Sequence, residues 1–107
     1  MDAKYFKFEV YVPLTHVDAV KDAMCKAGAG KYGSYDSCCW TTNGIGQFRP
    51  LDGANPFIGK VNEIEKVEEA KIECMIEAGL VKNLISEMKK AHPYEVPAYH
   101  YWPIFID

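Results

Sequence analysis

Two stretches of this chain are copies of one another. Displaced by 64 residues without a gap, Lys7–Tyr35 lies over Lys71–Tyr99, with identities at Lys7/Lys71, Glu9/Glu73, Val17/Val81, Met24/Met88, Ala27/Ala91 and Tyr35/Tyr99. Apolar residues exchange for one another at Phe8/Ile72, Val12/Ile76 and Val20/Leu84. The repeat matters because each copy reads as the same succession of elements. In the first copy, residues 5–12 alternate, with Phe6, Phe8, Val10 and Val12 on one side, which is the pattern of a half-buried strand. Pro13 ends that strand, and Thr15 is placed to cap a helix with Asp18 three residues on. Val17, Val20, Met24 and Ala27 recur at helical spacing, and Gly28 closes the helix. In the second copy a strand runs from about Val67 to Ile76. A helix follows Gly79, with Val81, Leu84, Ile85, Met88 and Ala91 as its stripe, and His92-Pro93 stops it.

Between the copies, residues 35–42 are rich in strand formers. Asn43-Gly44 is a hairpin-turn signal, after which Ile45–Arg49 is expected to pair back. Residues 50–62 hold two prolines, two glycines and two asparagines and read as a long loop, of the kind that usually carries function or moves. The tail, residues 98–106, reads as a last strand interrupted by Pro103. Two β-α-β units in tandem predict an α+β, ferredoxin-like βαββαβ sandwich with an extra hairpin or loop at 43–66. Both helices would cover one sheet face, meeting Phe6, Phe8, Val10, Val12, Ile72, Cys74 and Ile76. The other face would carry Tyr5, Lys7, Glu9, Tyr11, Lys71, Glu73 and Met75. That mixture suits either a subunit interface or an open sheet face dotted with tyrosine.

Composition narrows the class. At 107 residues the chain is expected to form one domain, 1–107, since domains cluster at about 100–150 residues. About half the residues are hydrophobic and a quarter charged, which excludes disorder, collagen-like repeats and coiled coil. A net charge of −3 without a cluster of Lys and Arg argues against nucleic acid as a partner. No apolar run approaches the roughly 20 residues of a membrane span, so no membrane partner is expected. Asp2, Ala3 and Lys4 lead directly into the alternating strand, so no secretory leader is expected. Cys25, Cys38, Cys39 and Cys74 then read as thiols of a cytoplasmic protein.

No complete active site is legible. There is no nucleophile elbow, no Ser-His-Asp order and no C-x-x-C pair. Ala27-Gly28-Ala29-Gly30-Lys31 follows a helix rather than opening one, so it offers carbonyls where a phosphate wants amides. His92-Pro93-Tyr94-Glu95 joins a base, a phenol and a carboxylate at a helix end. His92 there has a structural use, gaining from the helix dipole when charged, and two functional ones, proton transfer or metal ligation. Adjacent Cys38 and Cys39 on a strand would face opposite ways, and burial is expected for Cys74 and one of that pair.

Several of these segments, taken in order, resemble a known family. Lys7–Pro13, Ala27–Lys31, Tyr35-x-x-Cys38, Gly44-x-Gly46-x-Phe48-x-Pro50, Gly53-Ala54-Asn55-Pro56-Phe57-Ile58-Gly59 and Ala91-His92-Pro93-Tyr94-Glu95 are similar to the domain inserted in YqfO proteins of the Nif3-like family. That insert is similar to PII signalling proteins and the CutA proteins, and His92–Pro97 resembles a CutA signature by itself. The larger family members carry a dinuclear metal site in flanking segments, whose ligands have no counterpart in this chain. The resemblance implies a PII/CutA-like fold and a homotrimer whose sheets pack towards the three-fold axis. It also implies a non-enzymatic ligand-binding or regulatory module with clefts between subunits. The residues expected there are Asn43, Gly44, Gly46, Arg49, Gly53, Asn55, Pro56, His92, Tyr94 and Glu95. In that reading the glycines free backbone amides while Arg49 and Lys60 neutralise an anion. Alternatively the 43–60 loop only clasps a neighbouring subunit. A second function is divalent or soft-metal binding of the CutA kind, with His92 and Cys38 as the candidate ligands. The sequence identifies no cofactor and leaves open whether there is one.

Overall fold

The offset of 64 residues holds in the backbone itself. The computed structural model describes residues 2–107, and its elements fall in register with the repeat. Strand β1 (Tyr5–Pro13) leads through a 3₁₀ turn (Leu14–His16) into helix α1 (Val17–Lys26). Strand β3 (Glu65–Glu77) leads through a 3₁₀ turn (Ala78–Leu80) into α2 (Val81–Ala91). Each turn and each helix of the second copy starts 64 positions after its counterpart. The residues entering the two turns share a conformation, Pro13 at φ −62°, ψ 147° and Glu77 at φ −62°, ψ 141°. Those turns replace the expected cap. Neither helix has a side-chain cap at its start, and Thr15 Oγ1 shares a hydrogen bond of 2.8 Å with His16 Nδ1 instead.

Strands β2 (Cys39–Phe48) and β4 (Tyr99–Ile104) complete an antiparallel sheet of order β2-β3-β1-β4, the ferredoxin-like arrangement. α1 and α2 pack together on one side of it. Phe8, Val10, Val12, Ile72, Cys74 and Ile76 are buried against Val20, Met24, Val81, Leu84 and Met88, with Phe6 at the margin. Each large side chain enclosed this way contributes about 1.5–3 kcal/mol. α1 ends as the sequence predicts. Gly28 takes φ +102°, its amide bonds Cys25 O and the Ala29 amide reaches Met24 O, so a left-handed residue satisfies two helix carbonyls.

Four local expectations fail. Asn43-Gly44 makes no turn; both residues lie inside β2, opposite Ala70 and Glu69, and neither has positive φ. The chain reverses instead in residues 49–64, so the extra feature at 43–66 is one long β2–loop–β3 hairpin. Residues 35–38 are not strand, because Tyr32 and Tyr35 bridge across a turn containing Gly33 at φ +58°. Cys38 and Cys39 are both exposed, while Cys74 is buried as expected. β2 is an edge strand, and Cys38 precedes it. Pro103, expected to interrupt the last strand, sits within β4 opposite Phe6. β4 is the other edge, where a residue without an amide hydrogen costs no ladder bond.

On the face away from the helices, Glu9 and Glu73 are directly opposite, an unfavourable like-charge pair. Lys71 Nζ stands 3.9 Å from Glu9 and 3.8 Å from Glu73, and His100 Nδ1 lies 3.1 Å from Glu9. With Tyr5, Lys7, Tyr11 and Met75 half-buried beside them, this is the mixed face that the alternation predicts.

Candidate functional site: the cleft at the end of the β2–β3 hairpin

The loop after β2 is folded, not loose. Asn62 donates from its amide to Pro50 O (2.6 Å) and from Nδ2 to Asp52 Oδ1 (3.1 Å), which ties the two ends of the loop together. Asn62 takes φ +67° and Gly59 φ +96°, left-handed conformations that asparagine and glycine tolerate. At its tip the Asn55 amide donates to Glu95 Oε2 (3.0 Å), and the Phe57 ring meets His16 edge-on with centroids 5.5 Å apart. Bent back in this way, the loop walls a cleft of about 530 Å³ against the end of β2, the buried part of β3 and residues 94–98. Phe48, Leu51, Phe57, Ile58 and Val96 make its lining largely apolar.

Segment 92–98 is held on by backbone partners. The Tyr11 amide donates to Ala98 O at 3.0 Å. His92 donates from Nε2 to Tyr11 O (2.7 Å), and its Nδ1 accepts the Tyr94 amide (3.1 Å). A carbonyl can only accept and an amide can only donate, so the ring is neutral with its hydrogen on Nε2. Burial pushes the His92 pKa below its ordinary value, overriding the Tyr11 carbonyl and Glu69, which pull it up. This corrects the expectation of a charged histidine serving the helix dipole. His92 is the buried C-cap residue, and what it serves is the strand beside it. Both ring nitrogens are already bonded, so a metal would have to displace one of those bonds.

Tyr94 then reaches into the cleft. Its hydroxyl donates to Glu69 Oε2 at 2.8 Å, and its ring packs edge-on to Phe48 at 5.9 Å. Burial raises the phenol's pKa well above the usual range, and the Glu69 carboxylate adds to the rise. Glu69 is almost wholly buried. Room for it comes from β2: Gly44 is opposite Glu69 and Gly46 is next on the same side of the strand. A Cβ on Gly46 would overlap the Glu69 carboxylate.

The structure brings together five of the ten expected residues, Gly46, Arg49, Pro56, Tyr94 and Glu95, as cleft lining. Asn55 joins them through its amide bond to Glu95, and His92 supports Tyr94 from behind. Asn43 and Gly44 border a smaller hollow of about 220 Å³ beside Lys71, which shares Tyr11, Gly46 and Glu69 with the cleft. Gly53 sits on the loop at φ +94° with open space around it. Tyr11, Phe48 and Glu69 were not anticipated; a glycine at alternate positions of one strand, opposite a carboxylate, was the available signal. Charge also differs from expectation. Asp52, Glu69 and Glu95 line the cleft against Arg49 alone, and Lys60 is not among the lining residues, so the cleft does not favour an anion. Cys38 is exposed, with its thiol 3.6 Å from Asp36 O. Among the described residues no three His, Cys, Asp or Glu side chains are placed to hold a metal ion together. No helix among the described residues is long and apolar enough to cross a membrane.

No family model matches the chain. It is 46% identical over 99 residues to a GTP cyclohydrolase 1 type 2 homolog of Halalkalibacterium halodurans, covering 92% of this chain and 27% of the relative. A Bacillus subtilis protein of the same description is 45% identical over 98 residues, covering 92% and 26%. The chain therefore spans about a quarter of the length of the curated relatives it matches. Among solved structures, a Bacillus cereus protein related to NIF3 superposes with a TM-score of 0.82 at 38% identity, over 95% of this chain and 26% of that one. CutA from Archaeoglobus fulgidus superposes with a TM-score of 0.69 at 15% identity, over 96% and 86%, a likeness of fold. By sequence this chain is similar to a quarter-length segment of a Nif3-related protein, and its fold is CutA-like.

Proposed function

We propose that the chain is a non-enzymatic ligand-binding or regulatory module of the Nif3/YqfO insert type that acts in the cytoplasm as a CutA-like homotrimer. The cleft at the end of the β2–β3 hairpin is its ligand site. The observation that carries the reading is the folded loop: it is tied at both ends and at its tip, and it encloses an apolar space into which Tyr94, Glu69 and Arg49 project. An apolar cleft with a few converging polar groups is the usual form of a small-molecule site. The mixed sheet face with the Glu9–Lys71–Glu73 cluster, together with exposed Trp40 and Trp102, supports association with further copies.

Light scattering of the eluting protein at micromolar concentration is expected to give three chains per particle; a monomer overturns the trimer. Thermal denaturation against a panel of metabolites and nucleotides is expected to find a compound that raises the melting temperature. That increment should be lost in Phe48→Ser. A trimer stabilised by no compound would leave the loop as a clasp on a neighbouring subunit and overturn the ligand reading. Divalent or soft-metal binding is favoured by no observation, given the bonded His92 ring and the isolated Cys38 thiol. Elemental analysis tests it, and about one equivalent of copper or zinc per chain would restore it.

A further inference from the structure

The cleft holds an acidic group with a free oxygen and no cation paired with it. Glu69 is 9% exposed, and its Oε2 is occupied by the Tyr94 hydroxyl. Its Oε1 accepts no hydrogen bond among the described residues. Yet that oxygen is not sealed in, because every fully enclosed side-chain nitrogen or oxygen among those residues has a partner. Oε1 therefore keeps some exposure, and Glu69 lines both the cleft and the smaller hollow beside Lys71. No Lys, Arg or His among the described residues forms an ion pair with Glu69. Lys71 is committed to Glu9 and Glu73, His92 is a neutral ring bonded to Tyr11 and Tyr94, and Arg49 lines the cleft without pairing with Glu69. A carboxylate taken this far out of water is costly unless something pairs with it. β2 is shaped to admit it all the same, through the missing side chain at Gly46.

Resting on the reading of this cleft as a ligand site, we infer that its ligand is an organic ammonium compound, a protonated amine carried on an apolar or aromatic body. The ammonium would donate to Glu69 Oε1, the Tyr94 ring and hydroxyl would position it, and Phe48, Leu51 and Phe57 would take the apolar part. A bare metal ion fits less well, since no three ligating side chains converge there. An anion would meet Asp52, Glu69 and Glu95 against the single Arg49.

Three probes of one shape test the assignment: phenethylammonium, 2-phenylethanol and 3-phenylpropanoate, each titrated into the full chain at low salt and followed by amide NMR. Phenethylammonium is expected to shift the Gly46, Phe48 and Val96 amides saturably and to bind about tenfold or more tighter than the alcohol. Glu69→Gln, which keeps the shape, should erase that preference. Equal binding of amine and alcohol by the wild-type chain overturns the ammonium assignment and leaves the cleft as a ligand site, without recourse to any variant. Tighter binding of the carboxylate makes Arg49 the anchor and also overturns it. A preference for the amine that survives Glu69→Gln does the same. If none of the three probes moves those amides, the cleft is closed to ligands, and the ligand-site reading falls along with the inference.

Discussion

His92 donates to the Tyr11 carbonyl across 81 positions of sequence, at 2.7 Å, and so fixes the end of α2 to β1, one of the two inner strands of the sheet. The bond dictates how stability depends on pH. The folded chain holds this imidazole neutral with its pKa below 6.5, so the unfolded chain binds the proton more readily. Stability is then fully present above about pH 6.5 and falls as the pH drops through the folded-state value. Melting temperatures measured between about pH 7.5 and pH 5 should decline on the acid side, and the decline should be shallower in His92→Gln. His92→Ala leaves the Tyr11 carbonyl and the Tyr94 amide without partners and should cost about 1–3 kcal/mol at neutral pH. A slope unchanged by His92→Gln would place the acid sensitivity elsewhere.

Tyr94 and Glu69 make the opposite prediction at the other end of the scale. Burial and the neighbouring carboxylate both hold the phenol protonated, raising its folded-state pKa above the usual 10.0. Stability contributed by the neutral phenol is complete below about pH 10 and is lost as the pH rises towards the folded value. Tyr94→Phe should flatten that alkaline loss. Gly46→Ala should act on the same pair from the opposite strand: the added methyl displaces the Glu69 carboxylate, and the hydrogen bond from Tyr94 goes with it. A loss of about 1 kcal/mol in denaturant titration is expected, together with a lower phenol pKa by tyrosine-ring NMR.

Most of the sandwich was legible because it is written in local rules. Alternation at Phe6, Phe8, Val10 and Val12 and the stripe at Val81, Leu84 and Met88 report burial directly, and the repeat let each half check the other. Asn43-Gly44 misled for an instructive reason. A turn preference is worth little beside the antiparallel ladder that β2 makes with β3 from Cys39 to Phe48. Glu69 was missed because Lys66-Val67-Glu68-Glu69 looks like a solvated strand end. Its burial depends on Tyr94, 25 residues further along, and on two glycines of another strand. The cleft is thus legible as a loop with a signature, but its polar centre arises only from tertiary pairing.

The four thiols should sort by burial when the folded protein meets a disulfide reagent near pH 8. Cys38 and Cys39 are exposed and should react first. Cys25 is half-buried, and burial raises its pKa, so it should follow slowly. Cys74 lies in the core with its pKa pushed up by burial to about 12, which leaves almost no thiolate to attack. Two fast equivalents, one slow, and a fourth released only by denaturant are expected from the colour change. Rapid reaction of Cys74 in buffer would mean that β3 and the helices part far more readily than this packing allows.

Gly30 carries the heaviest backbone constraint outside the cleft. It stands at φ +78°, donates its amide to Met75 O at 2.7 Å and accepts the Cys38 amide at 3.0 Å, so it joins the exit of α1 to the start of β2. An alanine Cβ there would overlap the Cys38 backbone, which has no side-chain rotation with which to yield. Gly30→Ala should therefore combine left-handed strain with a steric clash and cost more than about 2 kcal/mol. Gly33→Ala, at φ +58° with open space around it, should cost only about 1 kcal/mol, the strain alone. Chemical denaturation of the two variants side by side separates the terms. Equal losses would mean that the 31–38 loop shifts freely to accommodate the methyl group, and that the bond between Gly30 and Cys38 does not fix where β2 begins.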